Sequence, residues 1–111
     1  MANKWGIPKE TEDFVIKRDL ACVYCGVNFS IKHESRKTKP TWEHIVNDIR
    51  ISTIENISLC CTSCNASKGA KLLEDWLNSS YCSSKGITQK TVAKVIQNAI
   101  ANPPILKRKN K

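Results

Sequence analysis

Two Cys-x-x-Cys pairs constrain this chain more than any other feature: Cys22-Val-Tyr-Cys25, followed at once by Gly26, and Cys61-Thr-Ser-Cys64. Two intervening residues let both thiolates of one turn reach a single ion at about 2.3 Å in tetrahedral geometry. Thirty-five residues separate the pairs, so one ion held by all four would clip a long loop. A four-thiolate site keeps no open position, which makes it structural rather than catalytic. The composition explains the need for it. The chain has 111 residues, one domain's worth, and its 41% apolar content includes six Cys. The ordinary core left over is thin, and metal binding can substitute for the missing packing. One structural Zn²⁺ per chain, on Cys22, Cys25, Cys61 and Cys64, is therefore expected. Cys60 adjoins Cys61 and reads as a core residue of a strand; Cys82 has no pair and reads as a buried thiol.

The charge points to a polyanion. There are 18 basic against 10 acidic residues, a net +8. Residues 1–31 sum to zero, whereas Lys32, Arg36, Lys37 and Lys39 against Glu34 make a local +3. Lys107, Arg108, Lys109 and Lys111 add +4 at the end. A basic loop and a basic tail fit DNA or RNA. No apolar run approaches the roughly 20 residues that a membrane span needs, and the N-terminus lacks the apolar stretch of a signal peptide. The expectation is a cytoplasmic protein with reduced cysteines, no membrane partner, and an oligomeric state left open, a homodimer included.

The elements read as follows. Pro8 opens a helix that runs to about Arg18, with acidic residues in its first turn. Ala21–Cys25 is a short strand or knuckle ending at Gly26. Residues 30–40 form a polar loop. Thr41–Val46 is a strand, residues 47–56 a connection, and Ile57–Cys60 a second strand. Thr62–Lys68 is helical and stops at Gly69; Leu72–Asn78 is another short helix. Thr88 caps a last helix to about Ala101, whose Val92, Val95, Ile96, Ala99 and Ile100 share one face. Pro103 and Pro104 end it. The fold class expected is α+β.

Between and beside the knuckles stand Glu43-His44-Ile45, Glu55-Asn56-Ile57 and Cys61-x-x-Cys64-Asn65-x-x-Lys68-Gly69, preceded by Arg18-Asp19 and the first knuckle. This ordered set resembles the HNH endonuclease family over roughly residues 14–72. The resemblance implies a small zinc-stabilised ββα-metal core within one domain of residues 1–111, flanked by helices. It implies that His44 is the general base toward the attacking water, that Asn56 braces the hairpin loop and so orients His44, and that Glu43 and Asn65 hold one catalytic Mg²⁺ or Mn²⁺. Glu43 stands where the family often has Asp, and Asn65 where many members have His. Lys68, Arg50, Arg36, Lys37 and Lys39 are the candidate phosphate contacts. One structural demand follows: neighbouring residues of a regular strand face opposite ways. Glu43 and His44 can serve one site only if the strand bends or ends there.

The function expected is hydrolysis of phosphodiester bonds in DNA, double-stranded above all, by a metal-dependent endonuclease. Two rivals share the same basic surface: a zinc-containing DNA-binding module without catalysis, and an RNA-directed nuclease.

Overall fold

A computed structural model describes residues 7–29, 39–48 and 50–104. Within them lie α1 (Lys9–Arg18), β1 (Pro40–His44), β2 (Ile57–Cys61), α2 (Thr62–Lys68), α3 (Leu73–Leu77), α4 (Ser80–Lys85) and α5 (Lys94–Ala101). The class is α+β: among the described residues, one two-stranded antiparallel sheet and five helices.

The hairpin is a wall between two apolar clusters. Its ladder pairs His44 with Ile57, Trp42 with Leu59, Glu43 with Ser58 and Thr41 with Cys60. Opposed residues share a face and successive residues alternate. Trp42, Ile57 and Leu59 pack on one side with Ile7 and, from α1, Val15. Cys60 faces the other side, in a cluster with Tyr24, Ile45, Trp76, Ile87, Val92 and Ile96. Every β2 residue is buried, as a strand covered on both faces must be. An ion pair fastens α1 to this wall. Arg18 donates to both Asp19 carboxylate oxygens at 2.7 and 2.9 Å, and also to the carbonyls of Ile54 and Ile57, each at 2.7 Å. Asp19 Oδ2 in turn accepts the Leu59 N–H at 3.0 Å.

Three elements differ from the sequence expectation. First, β1 stops at His44 and not at Val46. The Asn56 side chain takes both backbone groups of Val46, so they cannot extend the ladder. Second, a helix at Ser80–Lys85 follows α3 directly. Ser79 caps it by accepting the Cys82 N–H, and Gly86 closes it in the left-handed conformation. Third, the last helix starts at Lys94. Thr88 Oγ1 does accept N–H groups, from Lys90 and Thr91, but it closes only a turn. Ala93 is then extended and donates its N–H to the Val23 carbonyl at 2.8 Å. That tertiary bond overrides the local helical preference.

Asp19→Ala should strand both a half-buried guanidinium and the Leu59 N–H. Urea unfolding should show a loss of about 2–4 kcal/mol. Asp13→Ala, which removes only the exposed pair with Lys9, should leave the midpoint nearly unchanged.

Candidate functional site

The first knuckle turns at Gly26, whose φ of +82° suits a residue without Cβ. An isolated bridge between Ala21 and Asn28 and the bond from Cys22 N–H to the Val27 carbonyl close it. The second knuckle sits at the β2–α2 junction, where Cys61 is the N-cap and accepts the Cys64 N–H. Backbone N–H groups point at sulfur throughout: Tyr24 and Cys25 to Cys22 Sγ, and Cys64 to Cys61 Sγ, each at 3.4 Å. The Tyr81 hydroxyl donates to Cys64 Sγ at 3.4 Å. Donors of this kind favour thiolates.

All four Sγ atoms lie within 4.8 Å of one another, and Cys25 and Cys61 are 3.7 Å apart. A tetrahedron with metal–sulfur bonds of about 2.3 Å has edges of about 3.8 Å. The group can therefore hold a metal ion, and its donor set suits zinc. The crowding divides the thiols: hydrogen bonds from Cys22 and Cys61 draw Cys25 far below its ordinary value, while Cys22 and Cys25 push Cys64 far above. Four thiolates so close together require a cation.

His44 ends β1, half-buried, and the chain then turns through residues 45–47. Asn56 fixes that turn with three hydrogen bonds: it accepts from the Val46 N–H at 2.7 Å and donates to the carbonyls of Val46 and Ile51 at 3.1 and 3.0 Å. It is wholly buried, so the amide satisfies groups that water cannot reach. Asp48 and Arg50 stand beyond His44. Arg50 grips both Asp48 carboxylate oxygens at 2.9 and 2.8 Å, and that contact holds the carboxyl down at about 2. Burial lowers the His44 pKa below its ordinary value; Asp48 pulls it up, and the Lys68 charge lowers it further. At neutral pH the imidazole is uncharged and can accept a proton.

Glu43 faces the other way. The ladder runs through His44, so the strand does not bend early enough to bring the two side chains together. Glu43 is buried, and its Oε2 is 2.8 Å from Lys68 Nζ and 3.0 Å from the Tyr24 hydroxyl, which donates to it. Burial raises the Glu43 pKa, and Lys68 and Tyr24 oppose the rise. Lys68 is fully buried and also donates to the Ile45 carbonyl at 3.0 Å. Lys68 thus cannot meet a phosphate, contrary to the sequence expectation: its ammonium is spent inside, on Glu43. Asn65 donates to Thr41 Oγ1 and the Trp42 carbonyl at 2.9 and 3.2 Å, so it splices α2 to β1. In this arrangement Glu43 and Asn65 do not fit a divalent-ion site, because an ammonium already fills the carboxylate's cation position.

Of the remaining candidates, Arg50 and Lys39 are exposed, whereas Arg36 and Lys37 fall outside the described residues. The Tyr24–Glu43–Lys68 chain had no signature in the sequence; a Lys in the last turn of a short helix reads as a solvent-facing cation. No known family model matches the chain, and no curated protein or solved structure is significantly similar to it. Among the described residues, no helix is long and apolar enough to cross a membrane.

The lowered His44 pKa has a sign for stability. The unfolded chain binds its proton first, near pH 6.5. Stability carried by neutral His44 is present above that pH and is lost as pH falls toward the folded value. In an NMR titration His44 should titrate below pH 6.5, and His44→Gln should flatten the loss of stability on acidification.

Proposed function

We propose that this chain is a zinc-stabilised nuclease of the HNH type that hydrolyses phosphodiester bonds in DNA. One observation carries the reading. An uncharged, half-buried imidazole ends the first strand of a hairpin, and the loop after it is fixed by Asn56. The helix after the second strand begins in a four-cysteine cluster. In this reading His44 takes the proton of the attacking water as its oxygen bonds to phosphorus. The bond to the 3′ oxygen breaks and that oxygen takes a proton from water, leaving 5′-phosphate and 3′-hydroxyl ends. Asn56 positions His44 by holding the turn at Val46. Lys39 offers exposed charge to phosphates, Arg50 would do so by sharing its guanidinium with Asp48, and Arg36 and Lys37 would add to it. Zn²⁺ on Cys22, Cys25, Cys61 and Cys64 holds the frame. No step is assigned to a divalent ion at Glu43.

One observation favours the second reading, a zinc-containing nucleic-acid-binding module. Glu43, the residue that would bring a catalytic cation, is committed to Lys68. Supercoiled plasmid in Mg²⁺ or Mn²⁺ buffer, run beside a structured RNA, separates the readings. The nuclease should nick the plasmid, and His44→Ala should slow it by a factor on the order of 10²–10⁴ while DNA retention in a gel persists. Binding without cleavage by the unaltered protein selects the module, and cleavage of RNA alone selects the RNA-directed enzyme.

The zinc has its own test. Elemental analysis should give about one zinc per chain, and a strong chelator or Cys25→Ser should lower the melting temperature sharply. A zinc-free protein with unchanged melting would remove the cluster from this account.

A further inference from the structure

The interior around Glu43 has the donors of a cation site and is held by a cation of the protein's own. Glu43 Oε2 and the Ile45 carbonyl both receive Lys68 Nζ, at 2.8 and 3.0 Å. Ser58 stands directly across the ladder from Glu43, on the same face. It is fully buried, and its Oγ has no hydrogen-bond partner among the described residues. A buried hydroxyl left so is uncommon and calls for a reason. Carboxylate, carbonyl and hydroxyl oxygens are the donors preferred by a small hard dication. One ammonium satisfies two of the three groups and leaves the serine unmatched.

We infer that Lys68 is an intramolecular competitor for this oxygen cluster: a divalent cation reaches Glu43 only by displacing the Lys68 ammonium. A second cation on the same buried carboxylate would meet the repulsion of the ammonium in the interior, and that repulsion adds to the cost of dehydrating the metal. Each therefore weakens the binding of the other. The ligand class is a six-coordinate, oxygen-preferring dication such as Mg²⁺ or Mn²⁺. The inference concerns cation affinity at Glu43 and does not require that the chain cleave DNA.

The test is Mn²⁺ binding to the zinc-loaded protein, read by the electron paramagnetic resonance signal of the free ion. Lys68→Met and Lys68→Gln should each bind one Mn²⁺ at least about tenfold more tightly than the unaltered chain. Adding Glu43→Gln to Lys68→Met should abolish the gained site. Equal affinity in the unaltered chain and both variants, or a gained site that survives Glu43→Gln, would overturn the inference. Should neither variant fold, the unaltered protein still decides. Substoichiometric Mn²⁺ should leave the Tyr24 ring and Ile45 amide NMR signals sharp, and selective broadening of those two signals would show an open site and sink the idea. Plasmid cleavage is not the readout, so a failure here and a failure of the nuclease reading remain distinct.

Discussion

Four sulfur atoms gathered within 4.8 Å of one another are the constraint on which this structure depends. They join a turn at residues 22–25 to the strand–helix junction at residues 61–64. Everything between them must therefore fold back as a closed loop. The hairpin is the inside of that loop, and both of its faces are covered. The cluster also sets the direction of α2, because the N-cap of that helix is itself Cys61, a member of the cluster. From that start, the seven residues of α2 carry Asn65 back to Thr41 and Lys68 back to Glu43. These α2–β1 contacts thus begin at the cysteines. Among the described residues a second long-range tie is the Arg18–Asp19 clasp on Ile54, Ile57 and Leu59.

What could be read beforehand was whatever depends on spacing along the chain. The cysteine pairs announced their own convergence. The run from Thr41 and the run from Ile57 announced two strands, and Gly69 marked the end of α2. On α5 the predicted face has Ile96 and Ala99 buried and Val95 and Ile100 half-buried, whereas Val92 is buried ahead of the helix. The errors fall where a side chain or a distant backbone group intervened. Asn56 ended β1 two residues early by capturing Val46, and Val23 delayed α5 by bonding Ala93. The helix at residues 80–85 has a clear cap in Ser79 but only six residues, too few for a periodic signal.

The candidate site divides in the same way. The bracing role of Asn56 came with the family resemblance, and its side-chain bonds to Val46 and Ile51 are those of a loop brace. The fate of Lys68 was not legible. Its position after Asn65 says that it lies on α2, yet nothing in the spacing says that Glu43 turns inward to meet it. That meeting depends on register. Glu43 opposes Ser58 on the covered face, and a shift of one residue would have turned it to the other.

Register also decides how the site can work. Because β1 remains regular through His44, its two neighbouring polar residues serve opposite faces and opposite tasks. Glu43 is a buried anion, and removing either it or Lys68 alone would leave an uncompensated charge costing about 3–5 kcal/mol. His44 is a half-buried base kept neutral by its surroundings. The two remain linked through one group: Lys68 pairs with Glu43 by contact and lowers the His44 pKa by its field. Anything that draws the ammonium away from Glu43 therefore changes the basicity of His44 as well. A cation arriving in its place would carry greater charge and depress that pKa further. Loss of the ammonium without replacement would raise it only in part, because burial, the larger cause of the lowering, would remain. The buried lysine thus links the interior of the hairpin electrostatically to the imidazole at its end.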